Sequence, residues 1–265
     1  MQDNNNGAGR VSREQRESVF LIGLDRAGKR NALDGAMLDD LALAIGEYER
    51  NDELRCAVLF AHGEHFTAGL DMMDLAPRLA SGKFGYPEGG IDPFSVSGVR
   101  RRKPLIVAVR GTCWTAGIEL ALAADIAIAA SDTQFAQLEV LRGIPPSGGA
   151  TVRFPLAAGW SDAMRYMLTG DAFDAEEALR MRLVSEVVEE GRELDRALEL
   201  ALKISTAAPL AVKATLASAS QARDEGESAA LAALNPRLFE LVKSEDVREG
   251  ILAMMQKRPA QFKGR

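Results

Sequence analysis

The chain predicts an α/β fold in which parallel strand–turn–helix units come first and a run of helices follows. Two observations carry this reading. Short, branched-apolar runs at residues 18–24, 56–61, 105–109 and 125–130 alternate with stretches of helical periodicity. From residue 162 onward the pattern turns mainly helical, so crossover units fit better than an all-helical or all-β body. A length of 265 residues suffices for one large core with a small appendage.

Residues 1–16 are polar and Asn/Gly-rich, with no apolar segment of signal-peptide type, and read as a disordered tail. Residues 17–205 read as the α/β core. Within it, residues 18–24 form a buried strand, and Asn31 or Asp34 caps a helix over 37–48 whose Met37, Leu41, Ala44, Ile45 and Tyr48 share one face. Residues 56–61 form a second strand. A helix then starts near Leu70 and decays into a Gly/Pro-marked stretch, 81–94, that reads as a mobile loop. Pro104 precedes a third strand, a turn over 111–117 leads into an Ala-rich helix, and 125–130 is a fourth strand. Residues 206–265 read as a helical region, and the later helices of the chain fall at 163–168, 175–180, 192–205, 209–223, 227–242 and 245–256.

Composition narrows the function. The net charge of −6 and the absence of a basic run beyond Arg100-Arg101-Arg102-Lys103, read as a solvated surface, give no footprint for nucleic acid. The most apolar run, 115–130, is broken by Glu119 and Asp125 and is too short for a membrane span, which needs about 20 residues. Cys56 and Cys113 both lie in apolar surroundings, which suits a reducing cytoplasm without disulfides. His62 and His65 stand at a strand exit without further ligands of metal spacing, so no metal is expected. No phosphate-loop or dinucleotide fingerprint occurs.

The chemistry-bearing residues are Glu119 and Glu139, each following a segment suited to exposing backbone N–H groups. Gly111 through Asp125 carries the first, and Phe135-Ala136-Gln137-Leu138-Glu139 the second. Upstream, Phe66-Thr67-Ala68-Gly69-Leu70-Asp71 forms another small-residue turn ahead of a helix. Two such turns with two carboxylates suit acid/base chemistry beside a developing oxyanion.

Five segments in order then resemble the crotonase family, the enoyl-CoA hydratase/isomerase superfamily, from about residue 18 to 264. They are Leu24-Asp25-Arg26 through Arg30-Asn31-Ala32-Leu33, His65 through Asp71, Gly111 through Asp125, Phe135 through Gly149, and Ser244-Glu245-Asp246 through Gly264. The resemblance implies a crotonase-like spiral of ββα units with C-terminal helices that assemble trimers or hexamers. It implies a coenzyme A thioester as ligand, with no separate cofactor. It maps the oxyanion-hole amides onto Leu70 and Ala116 and the two acids onto Glu119 and Glu139. Ala68, Leu70, Asp71, Trp114 and Gly117 are carried over as substrate contacts, and Arg26 and Arg30 flank the first turn as candidates for the coenzyme A phosphates.

The implied activity is that of an enoyl-CoA hydratase, a hydro-lyase adding water across a trans-2-enoyl-CoA. An enoyl-CoA isomerase is the neighbouring reading, and a non-catalytic acyl-CoA binding protein the rival of another class. A dienoyl-CoA isomerase resembles the same arrangement with an acid eight positions beyond the second, where this chain has Ser147. The chain departs from the family's pattern at Ala27 and Leu138, where proline is usual, and at Trp114 ahead of the second turn.

Overall fold

The computed structural model describes residues 9–82 and 85–265. The chain enters through β1 (Arg10–Arg16), which pairs antiparallel with β2 (Val19–Asp25). A turn leads to α1 (Gly35–Arg50), β3 (Cys56–Ala61), α2 (Met72–Ala80) and β4 (Leu105–Val109). Short β5 (Thr112–Trp114) precedes α3 (Ala116–Ala123), then come β6 (Ile126–Ala130) and β7 (Gln134–Ala136). Helices α4 (Ala150–Ala158) and α5 (Trp160–Thr169) lead to β8 (Phe173–Asp174), α6 (Ala175–Arg180), β9 (Glu186–Val188) and α7 (Glu193–Ser205).

Among the described residues, a six-stranded sheet runs β1-β2-β3-β4-β6-β9, parallel from β2 onward, and a three-stranded sheet runs β5-β7-β8. The chain therefore spirals. Each turn adds a strand to the large sheet, then a short extended piece to a second surface, then a helix. The bridges Leu33–Leu70 and Thr67–Cys113 extend that second surface through turns too short to be strands.

Strands β2, β3, β4 and β6 were legible because both their faces are covered, which makes them continuous apolar runs. Ile22, Leu24, Leu59 and Val107 pack on one side with α1. Leu21, Val58, Ile106 and Ile128 pack on the other against Ala197 and Ala201 of α7.

Several expectations change. Residues 10–16 of the expected tail form β1, and residues 1–8 lie outside the described residues. This edge strand buries only Val11 and is held by its ladder and by Arg10–Asp25 and Arg13–Asp40 ion pairs, so no apolar signal announced it. Asp34, not Asn31, caps α1, accepting from the Met37 amide at 2.9 Å. The helix expected from Leu70 starts at Met72. In the segment expected to be a mobile loop, Ile91, Asp92 and Phe94 are buried; residues 83 and 84 of it lie outside the described residues.

The basic run is a solvated surface only in part, at Arg100 and Arg102, which are exposed. Arg101 pairs with Asp125 and Arg102 with Glu49, while Lys103, 2% exposed, donates to the carbonyls of Asn51 and Leu54 over the Tyr48 ring.

Beyond α7 the chain forms α8 (Pro209–Glu225), α9 (Glu227–Ala232), α10 (Leu234–Leu241) and α11 (Glu245–Gln256). The single helix expected over 227–242 breaks because Pro236 has no N–H for the Ala232 carbonyl and its ring crowds that group. Asp246, buried in α11, accepts from the amides of Lys263 and Gly264 and fastens the C-terminal segment. Among the described residues, no single helix is long and apolar enough to cross a membrane.

Candidate active site

The first turn is organised by a residue the sequence offered only as a cap. Asn31, fully buried at φ 51°, accepts from the Arg26 amide and donates to the carbonyls of His62 and His65. This joins the turn after β2 to the turn after β3. Arg26 lies in the same joint, bonding Asp71 at 2.8 Å and Asp34 at 3.3 Å. Its guanidinium is thereby engaged inside the protein by two carboxylates. Asp71 is the N-cap of α2 and a partner of Arg26. The Arg30 side chain is exposed, while its carbonyl accepts from the Ala68 amide at 2.9 Å.

The second and third turns are bound to each other. Thr67 accepts from the Trp114 amide and donates its own to Thr112, both at 3.0 Å. A Cβ on Gly69 would lie 1.8 Å from Thr115 Oγ1, so the residues preceding Leu70 and Ala116 are in contact. Leu33 donates to Gly69 O and accepts from Asp71 N, bonds that flank Leu70 and leave its own N–H on the opposite side. Ala116 is the first residue of α3, where an amide has no helical partner. Two unclaimed amides thus leave adjoining turns. Gly117 answers to packing, because a Cβ there would meet Thr67 Cγ2 at 2.9 Å and Cys113 Sγ at 3.0 Å. Trp114 is half-buried, with its indole Nε1 buried and unpartnered.

One turn further along α3, Glu119 is 3% exposed. Its Oε1 accepts from the amides of Gly148 at 2.7 Å and Ala150 at 3.1 Å, at the entry to α4. A Cβ on Gly148 would sit 2.5 Å from Glu119 Oε2, so glycine is required for that approach. Burial, aided by the charge of Glu139 and opposed by the two amides and Arg153, pushes the Glu119 carboxyl up to about 7. Glu139 opens a short 3-10 helix after β7 and is 9% exposed. Its Oε1 accepts from Gln137 Nε2 at 2.9 Å, while Oε2 is buried and unpartnered. Burial raises this carboxyl too. The charge of Glu139 contributes to the rise at Glu119, after burial.

Beside Glu119 lies a cavity of about 310 Å³. Leu70, Leu79, Phe94 and Val96 give it an apolar wall, and Glu119, Ser147 and Gly148 stand at its polar end. Sequence reasoning missed Gln137 and the Gly148 and Ala150 amides. The Gly148-Gly149 pair was the only local signal for those amides, and Gln137 carried none. His62 faces Ser12, and His65 accepts from the Thr112 amide, so both histidines support the turns.

A largely apolar cavity lined by buried Glu119, together with amides free at the Leu70 and Ala116 turns and a second buried acid in Glu139, suits polarising a carbonyl and moving protons at neighbouring carbons. Comparison with known proteins agrees. A family model described as enoyl-CoA hydratase/isomerase matches residues 14–265. The 2,3-dehydroadipyl-CoA hydratase of Escherichia coli (strain K12) is 33% identical over 96% of this chain and 98% of its own length. The carnitinyl-CoA dehydratase of Citrobacter koseri is 33% identical over 93% and 95%. A crystal structure of a probable enoyl-CoA hydratase/isomerase from Mycobacterium abscessus superposes with a TM-score of 0.95 at 50% identity, covering 96% of this chain and 98% of that one.

Proposed function

The chain belongs to the enoyl-CoA hydratase/isomerase family, and from that premise we propose that it is an enoyl-CoA hydratase acting on trans-2-enoyl-CoA thioesters. The observation that carries this is the burial of Glu119, with raised proton affinity, in the lining of a cavity that reaches the Leu70 turn; Glu139 is a second buried acid whose proton affinity burial also raises. Relatives named hydratase and dehydratase support the same chemistry.

In this reading the thioester oxygen accepts from the amides of Leu70 and Ala116. Polarisation makes Cβ electrophilic, and the charge that gathers on oxygen as an enolate is stabilised where it forms. Glu119 takes a proton from water as its oxygen bonds to Cβ. A base with proton affinity near neutrality is well matched to that task at physiological pH. Glu139, whose proton affinity burial raises, delivers a proton to Cα, the enolate collapses, and a 3-hydroxyacyl-CoA results. Proton exchange with solvent restores the pair. Polarisation and proton transfer complete the reaction, so no metal or redox group is called for.

The wall of Leu70, Leu79, Phe94 and Val96 suits the acyl chain, with Arg30 the remaining arginine of the first turn available to the coenzyme A phosphates. The assay is loss of the conjugated enoyl-thioester absorbance over a series from short to long acyl chains. Turnover is expected, and no turnover with any member sinks the reading.

We also assign the C-terminal helices to contacts between copies, as trimers or hexamers. Leu231, Leu238 and Phe239 are 57%, 53% and 59% exposed, and Met254 and Met255 are 73% and 74% exposed, an apolar face that a lone chain would leave in water. A single-chain mass by light scattering would overturn this. Buried, unpaired Cys56 and Cys113 support a cytoplasmic setting.

A further inference from the structure

The turn that holds Glu119 is itself held from behind. Arg153, one helical turn into α4, donates from Nη1 to the Gly148 carbonyl at 3.1 Å and from Nη2 to the Ser95 carbonyl at 2.9 Å. The first carbonyl belongs to the residue whose amide binds Glu119 Oε1. Gly149, at φ +108°, lies flat against the guanidinium, for a Cβ there would meet Arg153 Nη1 at 2.3 Å.

The second carbonyl belongs to a loop that walls the cavity. Asp92, 7% exposed, gathers that loop by accepting from the amides of Phe94, Val96 and Ser97. Ser95 sits at φ 52°, a left-handed conformation that a serine keeps only when its surroundings impose it. One planar fork therefore ties the wall beside the acyl chain to the turn that supplies both amides of the acid.

We propose that Arg153 is a positioning residue: by bridging the Gly148 and Ser95 carbonyls it holds Glu119 and the cavity wall in one fixed register. The inference rests on the reading of Glu119 as the group that activates water. Glu139 and Arg153 are the charges that act on Glu119, the first raising and the second lowering its proton affinity. Arg153 in turn faces Asp92 and Glu119, and also Arg223 of α8 and Arg100, which with burial make its own charge costlier. Arginine suits the place because its fork meets two carbonyls at once, whereas an ammonium supplies the charge without the span.

The test uses the full chain with carboxyl-labelled glutamate, the Glu119 resonance being assigned by its loss in Glu119→Gln. In Arg153→Met the Glu119 titration is expected to move up, because an opposing charge is lost and the turn carrying its two amides loosens. The matching limb of the kcat/KM profile should move with it, and KM for the enoyl thioester should rise several-fold. In Arg153→Lys the titration should return toward wild type while KM stays high, since charge is restored and the bridge is not. A merely structural role would change melting temperature and leave the Glu119 titration in place. An unmoved titration in folded Arg153→Met overturns the proposal; where that variant does not fold, a wild-type KM in Arg153→Lys does so. Absence of turnover in the wild type sinks the hydratase reading instead, and the titration still decides whether Arg153 sets the state of Glu119.

Discussion

Glu119→Gln is expected to lower hydration by about 10²–10⁴-fold, the usual size for a lost acid/base group, and at the same time to make the protein more stable above neutral pH. The first effect follows because glutamine cannot accept a proton from water. The second follows from burial. Glu119 binds its proton more tightly in the folded chain, at about 7, than at its ordinary value of 4.5. Stability from that excess affinity is fully present below the ordinary value and is lost as pH rises through 7. Above that, folding must keep a charged carboxylate in a dry site, and glutamine removes the need. The rise from 4.5 to about 7 corresponds to roughly 3 kcal/mol at pH 8. Urea unfolding at pH 5 and pH 8 measures it. A stability difference that does not grow with pH would show that the carboxyl titrates normally.

Glu139→Gln should cut hydration by a similar factor, since its unpartnered Oε2 is then no longer a source of a proton. Steady-state hydration rates check both variants, and a near-normal rate in either removes that residue from the mechanism. Loss of hydration in Glu119→Gln with double-bond migration retained would move the assignment to an enoyl-CoA isomerase.

The second large effect is expected from Gly69→Ala, a change that touches no ionisable group. Gly69 has φ +96°, and its Cβ would lie 1.8 Å from Thr115 Oγ1. The backbone must move apart at the very contact that brings the Leu70 and Ala116 turns together. Losing one oxyanion donor costs about 10²–10³ in kcat, and a fall of that order is expected here. Thr115→Ala in the same chain removes the colliding oxygen but leaves its Cβ at a tight 3.2 Å and the φ of +96° unrelieved, so the double variant should recover only part of the rate. Steady-state kinetics of the two singles and the double test this. Additive losses would mean that the two turns do not share one binding point.

The fold was legible where burial is two-sided and obscure where pairing alone makes the strand. The runs at β3 and β4 were read to the residue, because every position there is apolar or nearly so. β5, β7 and β8 are two or three residues each, and the bridges at Leu33 and Thr67 shorter still. They exist as extended structure only because another turn of the spiral lies alongside. The charged run ending at Lys103 misled for a related reason. A lysine can be buried when carbonyls and an aromatic face wait for it, and those come from Tyr48, Asn51 and Leu54.

At the site, the sequence by itself determined which groups are present and in what order. Two carboxylates, two glycine-marked turns and a helix start after each follow from local residue choice, and family resemblance named their roles. Only the tertiary structure decided what state those groups are in. The amides that hold Glu119 come from 29 and 31 residues away, and the contact joining the two turns spans Gly69 and Thr115. Proton affinity depends on exclusion of water and on charges within a few ångströms, and both are properties of the assembled interior that no stretch of chain possesses alone.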